Sequence, residues 1–456
     1  MVQSARREDA VHALLIQFSD PRATDPPPVF SHPLGVLAAL ADQRGISCSL
    51  VTLGASRRER VAAAVADRQP GAVVVDVGLH HVAAARRTTA ALAELTDAPV
   101  AVVGAYATAR PTRAISFPGV AVLALGEYER PIVAWLERLG DGRDTEDIEG
   151  LWTCSGGGLV RSGPAPLTAD LDGLPFPDRE LFDTARIIAE TGQLAFKAAR
   201  GCPLWCACCI NDWYMDLYAG QDVPFVRRRS VANVLDEVES ATRAYPDASR
   251  VSFFDHCFAM DAEWLDEFAA EYPRRCGLPL GCQARLEKAT DDVAAALAAA
   301  GTRRVHTHIG SGSRFIREEV LSMHLSDEAV VAGCRRLAEA GLGVVVEVFV
   351  GAPYESEITV EETLDLLRRA GVDEVHPRAF YPAPGTRAAE LCRENGWLTG
   401  PRESAAYANR SVLNMPSMPP EQINAVIDKF PSLLKRRRRT ALRKVLDRAT
   451  RSRRGA

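Results

Sequence analysis

Two runs of alternating strand and helix signals, divided by fifty residues that carry neither, constrain this chain more than any other feature. In the first run, β-branched stretches at 11–17, 47–53, 72–77, 99–103 and 120–125 alternate with Ala- and Leu-rich stretches at 34–44, 57–68, 82–95 and 130–139. Apolar strands separated by helices need cover on both faces, which predicts a parallel sheet in a doubly wound, Rossmann-like α/β domain over residues 1–140. Ligands of such domains lie beyond the carboxyl ends of the strands. From 141 to 191 the pattern stops, and Gly156-Gly157-Gly158 and Leu174-Pro175-Phe176-Pro177 predict a turn-rich linker. The second run, 192–390, places strands at 194–199, 250–254, 278–283, 304–309, 344–350 and 374–379, with helices between them at 231–245, 261–272, 290–300, 327–340 and 360–370. Six successive β/α units predict a partial (β/α)6 barrel of the TIM type, whose chemistry sits at the strands' carboxyl ends. Residues 391–456 read as a small C-terminal helical region.

That region ends in a basic tail. Between Lys435 and Ala456 there are eleven Lys and Arg against one Asp, while the whole chain carries a net −5, so the body is acidic. This balance argues against general nucleic-acid binding. The tail reads as a solvated helix face or, more sharply, as a dock for an acidic partner or substrate carrier. No apolar run approaches the roughly 20 residues that span a bilayer, and Met1–Ala10 lacks the apolar core of an export signal. A cytoplasmic protein without membrane contact is expected, and there eleven cysteines do not predict a disulfide framework.

Four of those cysteines fall within eight positions, Cys202-Pro-Leu-Trp-Cys206-Ala-Cys208-Cys209, directly after the first barrel strand. Thiolates this close converge on one side of a loop and suit soft metals. Zinc sites favour two separated C-x2-C pairs, whereas Cys257, Cys276, Cys282, Cys334 and Cys392 are scattered. Adjacent Cys208 and Cys209 do not both reach one cubane comfortably. The spacing therefore favours an iron–sulfur cluster on Cys202, Cys206 and Cys209 with one iron left open, ahead of structural zinc or inert thiols.

The segment Arg200-Gly201-Cys202-x3-Cys206-x2-Cys209 resembles the signature of radical S-adenosylmethionine (SAM) enzymes. The resemblance implies that these three cysteines bind a [4Fe–4S] cluster, that SAM chelates the fourth iron, and that an electron from the cluster cleaves SAM to a 5′-deoxyadenosyl radical. Cys208 stands where the family usually has an aromatic residue. The resemblance assigns Asp255, after the second strand, to the SAM amine and Arg285, after the third, to its carboxylate. Ser311, after the fourth strand, is assigned to cofactor oxygens, with Gly310 in place of the family's glutamate. Gly351 and Pro353 lie in a Gly-x-Pro-x-Glu turn expected beside the adenine, and Pro382-x-Pro384-Gly385-Thr386 matches a segment common in the cobalamin-linked branch. Each also has a plain reading: Asp255 as a helix cap, Arg285 as a surface cation, the Gly-Pro segments as turns. His256, His306 and His308 read as polar strand-end residues rather than metal ligands.

In the first domain, Gln17-Phe18-Ser19-Asp20 stands where a dinucleotide site would carry G-x-G-x-x-G, which disfavours a dinucleotide. His32-Pro33-Leu34-Gly35 resembles the start of the first helix of cobalamin-binding domains fused to radical SAM barrels. Val102-Val103-Gly104-Ala105 resembles a Val-Gly-Gly turn, and Gly126-Glu127-Tyr128-Glu129 a Gly-Glu-x-Glu turn. The resemblance thus implies cobalamin contacts at Pro33, Leu34, Gly35, Gly104, Ala105, Gly126 and Glu127, small residues at such turns letting the backbone approach a large flat ligand. No Asp-x-His-x-x-Gly motif is present; His80 and His81 follow the third strand in another context. The function implied is a cobalamin-dependent radical SAM methyltransferase. It would act on an unactivated carbon of a specialised metabolite or peptide and draw electrons from a flavodoxin or ferredoxin. The alternatives are ring contraction, cyclisation or rearrangement with the same cofactors, and a metal- or cobalamin-binding sensor.

Overall fold

The computed structural model describes residues 11–23, 25–54, 58–256, 258–372, 374–399, 403–435 and 440–454. Met1–Ala10, Cys257 and Arg436–Arg439 of the basic tail lie outside the described residues. The chain divides into two compact units, one holding residues up to Thr191 together with Trp213–Arg227, the other Gly192–Asp212 and the chain from Arg228 onward.

The first unit is built on strands β1 (His12–Phe18), β2 (Ser47–Leu53), β3 (Ala72–Asp76), β4 (Val100–Val103) and β5 (Val120–Ala124), all parallel, in the order β2-β1-β3-β4-β5. Side chains alternate across a strand, so each apolar run feeds two cores. Leu14, Ile16, Val73, Val75, Val100 and Val102 face one layer with Val61, Ala85 and Leu92 of the helices Arg58–Arg68 and Val82–Leu95. Ala13, Leu15, Val74, Ala101 and Val103 face the other, against Leu34, Leu37, Ile132, Trp135 and Leu136 of the helices His32–Asp42 and Glu129–Gly140. Burying each large apolar side chain contributes roughly 1.5–3 kcal/mol, which only two covered faces can supply to every residue of a continuous apolar run.

The stretch read as a linker carries structure of its own. β6 (Leu151–Ser155) and β7 (Gly158–Arg161) form a hairpin through Gly156-Gly157 and extend the sheet antiparallel beyond β5, and Thr184–Thr191 is helical. A two-glycine loop suits the backbone of a tight hairpin. The signal was missed because β7 is a largely exposed edge strand, with no apolar alternation to read.

The second unit holds six parallel strands, Gln193–Phe196, Arg250–Phe253, Leu280–Gln283, Thr302–Gly310, Gly343–Val350 and Glu374–Ala379, adjacent in chain order. This is the open β/α barrel the spacing predicts. Its helices start where short polar side chains cap them: Ser230, Asp261, Thr290, Ser326 and Ser356 each accept from the backbone N–H three residues on. Each such cap contributes about 1 kcal/mol. Helix Pro420–Lys435 of the C-terminal region packs beside the last two strands through a face containing Ile423, Val426 and Phe430. Among the described residues no helix is long and apolar enough to cross a membrane.

Candidate active site

The cysteine loop leaves the first barrel strand and is pinned from three directions. Ala207 N–H donates to the Leu321 carbonyl (2.8 Å), and the Ala207 carbonyl accepts from Ala388 N–H (2.9 Å) at the start of the helix that follows the sixth strand. Within the loop, the Asn211 amide donates to the carbonyls of Cys202 (2.7 Å) and Leu204 (2.9 Å), and Asn211 N–H donates to the Cys209 sulfur (3.4 Å). Arg387 donates to the Trp205 carbonyl (2.8 Å) and pairs with Asp212 (3.3 Å). The three thiols lie close enough to perturb one another. Burial pushes the Cys206 thiol up to about 11, Arg285 opposes this, and Cys209 and Cys202 reinforce it. Burial also raises Cys209, and it raises Cys208 well above the ordinary thiol range. Thiols held protonated this way become ligands when a metal displaces their protons.

The strand-end turns have backbone duties around this loop. Asp255, buried, accepts from Ala198 N–H (3.0 and 2.9 Å) and Ala199 N–H (2.6 Å), so its carboxylate fixes the chain entering the cysteine loop. The resemblance assigns it to the SAM amine; in the structure its carboxylate holds these two main-chain N–H groups. Burial raises its pKa against the pull of those two donors. Arg285 is the predicted residue brought to the thiols: its cation acts on Cys206 while Glu287 holds it at 2.8 Å. Ser311 is fully buried and engaged with Thr363 (3.2 Å) and Ser313 N–H (3.1 Å), so it clamps its turn onto the helix Glu357–Arg369. Gly351 N–H donates to the buried Glu355 carboxylate across a turn containing Pro353, and burial lifts Glu355 to about 8 despite that bond and one from Ala352 N–H. His308 accepts from Gly310 N–H (2.9 Å), and burial lowers it to about 4; His256 bonds Gln283. Both fit the strand-end reading.

Two features here had no sequence signal. Phe315–Val320 forms a widened π-helical turn, with Leu321 N–H reaching the Ile316 carbonyl (3.0 Å). Tyr354 sits at φ 63, a conformation that favours glycine, with its ring edge-on to Trp397 (5.0 Å). Only backbone geometry, which residue type does not report, could have disclosed either.

In the first unit, three of the glycines expected near cobalamin are backed by the chain itself on their Cβ side. A Cβ on Gly35 would come within 2.7 Å of Pro177 Cβ; on Gly104 it would overlap the Asp76 carboxylate, and on Gly126 the Tyr218 hydroxyl. Glu127 N–H donates to that hydroxyl (2.7 Å), and the Glu127 carboxylate takes two bonds from buried Arg227 (3.1 and 2.6 Å). Pro33 opens the helix His32–Asp42, Leu34 lies in the core, and Ala105 starts the short helix Ala105–Ala109. Burial and the Glu129 carboxylate push Asp76 up to about 7, and burial raises Tyr214, which bonds Thr108, to about 12. Asp76 and Tyr218 thus back Gly104 and Gly126 on the side a Cβ would take.

Residues 197–367 match the model of the Radical SAM superfamily. Residues 197–367 form a radical SAM domain. The chain is 24% identical over 284 residues to an uncharacterized methyltransferase of Pyrococcus horikoshii, an alignment covering 62% of this chain and 60% of that protein. Its fold is similar to that of the radical SAM methyltransferase TsrM from Kitasatospora setae, solved with cobalamin and a [4Fe-4S] cluster bound (TM-score 0.68, 18% identity, 97% of this chain and 100% of that one). It is also similar to the cobalamin-dependent SAM radical enzyme OxsB with aqua-cobalamin and SAM bound (TM-score 0.66, 14% identity, 85% of this chain and 56% of that one).

The radical SAM domain's donor set suits its cluster. Among the described residues, no three His, Cys, Asp or Glu side chains gather closely enough to hold a single ion. A cubane spreads three thiolates over three irons, wider than the shell of one ion, and three mutually coupled thiols on a pinned loop fit that demand. His80 and His81 follow β3, and the His81 ring stacks on Phe18 (5.5 Å, 27°).

Proposed function

We propose that this chain is a cobalamin-dependent radical SAM methyltransferase that methylates an unactivated carbon of a small metabolite or peptide. The observation that carries the reading is the pinned loop presenting Cys202, Cys206 and Cys209 at the end of the first barrel strand, in a chain whose doubly wound unit precedes the radical SAM domain. A [4Fe–4S] cluster on those thiolates would supply the electron that cleaves SAM, and cobalamin a methyl carrier. The chain's own residues do the positioning. Asp255 fixes the loop's entry, Asn211 its exit, and Leu321 and Ala388 its flanks, so the three sulfurs keep their spacing before any cofactor arrives. Arg285 offers a fixed cation beside Cys206, suited to the SAM carboxylate. The Gly351–Glu355 turn is held rigid by its buried carboxylate and suits the adenine side. A flavodoxin or ferredoxin as electron source and a reducing cytoplasm as location fit an oxygen-sensitive cluster.

Anaerobic reconstitution tests the reading. The expected result is about four irons per chain with retained cobalamin, and a product heavier than its substrate by one methylene. Iron and cobalamin both absent would end it. A second reading, rearrangement or cyclisation with the same cofactors, draws on the likeness to OxsB, a cobalamin-dependent SAM radical enzyme. A product isomeric with its substrate, or two hydrogens lighter, would favour it.

A further inference from the structure

The basic end of the chain takes no part in the cysteine loop or its turns. Its helix, Thr440–Arg454, is held down on one face: Leu442 and Leu446 are buried, it packs on the helices Pro420–Lys435 and Glu357–Arg369, and Thr450 accepts from the Gln422 amide (2.9 Å). The other face carries Arg443, Lys444 and Arg448, all exposed. Among the described residues none of the three has a carboxylate partner, and Asp447, the helix's one acid, pairs with none of them. Elsewhere in this unit exposed helix arginines are matched three or four residues away, Arg243 by Glu239, Arg274 by Glu271 and Arg393 by Glu390. Lys444 and Arg448 stand instead as a like-charged pair four residues apart, which weakens an isolated helix and is relieved by an anion.

The face also leads toward the candidate active site. Thr450, near its carboxyl end, is bonded to Gln422, and the next residue, Ile423, is the one a Cβ on Gly351 would strike (2.8 Å). The helix, roughly 22 Å long, therefore runs along the flank of the last two barrel strands and ends near the Gly351–Glu355 turn. We infer that this face docks an acidic segment of a polypeptide that bears the substrate, so that the reacting group reaches the strand ends. This rests on the methyltransferase reading above, with a peptide or a carrier-bound metabolite as substrate. A helix that lies on a membrane puts its apolar face in lipid, and here Leu442 and Leu446 are packed on protein. Single-stranded nucleic acid is held by aromatic stacking, and residues 440–454 contain no aromatic side chain. The acidic body opposes an extended polyanion more than a short segment confined to the helix, because charges beyond about 10 Å are screened. An electron donor serves the cysteine loop, which leaves the first barrel strand, whereas this helix packs beside the elements of the last two.

The full-length chain, after anaerobic reconstitution, is titrated with a fluorescein-labelled glutamate-rich peptide long enough to span the helix, with anisotropy as the readout. The variant combines Arg443→Glu, Lys444→Glu and Arg448→Glu, and its unfolding midpoint is measured alongside. It should bind the peptide more than about tenfold more weakly than the wild type, and salt of about 0.3 M should weaken the wild type toward that level. Where the triple reversal disturbs the fold, Lys444→Gln with Arg448→Gln decides by a loss of about threefold. A photo-cross-linker at one end of the bound peptide should label residues near Gln422. Equal binding by the two chains, no binding by the wild type, or labelling only near Lys435 would overturn the inference. So would tighter wild-type binding of an oligouridylate of equal charge or of phosphatidylserine vesicles. Slower reduction of the cluster by flavodoxin in the variant would overturn it too, by giving the face to the electron donor. A chain that docks the peptide but assembles no cluster retires the methyltransferase reading and keeps the docking face. One that holds its cofactors and ignores the peptide loses the dock alone.

Discussion

The radical SAM domain and the doubly wound unit both present small residues and turns at the carboxyl ends of parallel strands, yet they use them differently. In the radical SAM domain the turns hold a loop whose thiols stay grouped: Asp255 grips the backbone at Ala198 and Ala199, and Leu321 and Ala388 flank Ala207. In the doubly wound unit the matching glycines are backed by protein, Gly35 by Pro177, Gly104 by Asp76 and Gly126 by Tyr218. The contrast separates two kinds of motif. A cysteine names its chemistry, because few groups other than a metal need three clustered thiolates. A glycine says only that something comes close, and whether that is a cofactor or a tyrosine is decided elsewhere in the chain.

The largest effect should come from the side where residue type names the chemistry. Cys206→Ala is expected to remove cluster iron and cut reductive cleavage of SAM by more than about 100-fold, since losing a direct ligand costs more than the 10–100-fold typical of an outer-shell partner. Iron content and deoxyadenosine release under anaerobic conditions check it. Unchanged release would erase the distinction drawn here, because the thiols would then be as passive as the glycines.

The opposite side breaks at Gly126. Its φ of 65 disfavours any side chain, and the Tyr218 hydroxyl occupies the space a methyl would need. Gly126→Ala should destabilise the cofactor-free chain by about 2–3 kcal/mol, read from denaturant unfolding. Were the space reserved for cobalamin, the apo protein would lose only the roughly 1–2 kcal/mol of the left-handed backbone, and cofactor uptake would fall as well. Tyr218→Phe in the same background should recover part of the loss, because the closest overlap is with the hydroxyl, while the ring carbon that carries it stays at 2.6 Å.

Much of this was legible beforehand. Strands such as Ser47–Leu53 and Gly343–Val350 carry their boundaries in β-branched runs and flanking turn residues, and the helices start at Ser, Thr or Asp caps. The Cys202, Cys206 and Cys209 spacing and the placing of Arg285 near it were legible as well. The β6–β7 hairpin was not, because an exposed edge strand lacks apolar alternation. Nor were the duties of Asp255 and Ser311, since a carboxylate or hydroxyl after a strand reads the same whether it meets a cofactor or a neighbouring N–H. The segment Trp213–Arg227 was read as part of the barrel, but Tyr218 and Arg227 bind Glu127 and place it with the first unit.

A pH series sharpens the account of the barrel turns. The Glu355 carboxyl in the folded chain titrates at about 8, above its ordinary value near 4.5, because burial penalises the charge. The folded chain therefore keeps a proton that the unfolded chain releases between those values. The stability this lends is complete below about pH 4.5 and is lost as pH rises to about 8. Glu355→Gln carries no such proton. Its unfolding midpoint should gain on the wild type steadily from about pH 5 to about pH 8, and a constant difference would show that the carboxyl is ionised in the turn throughout.

The smallest expected effect tests whether that turn also stores strain. Tyr354, at φ 63, sits where glycine would be relaxed, at a cost of about 1–3 kcal/mol. Its ring makes an edge contact with Trp397 at 5.0 Å, which returns about 0.5–1.5 kcal/mol. Tyr354→Gly removes both, and glycine's freedom in the unfolded chain takes back up to about 1 kcal/mol, so the net should be a stabilisation below about 1 kcal/mol. A midpoint that rises while SAM cleavage in the presence of substrate falls would mark Tyr354 as a residue kept for function against its own backbone preference. A midpoint that falls by 2 kcal/mol or more would mean that the ring's packing outweighs the strain, and that this turn, like Gly126, is shaped by the protein around it.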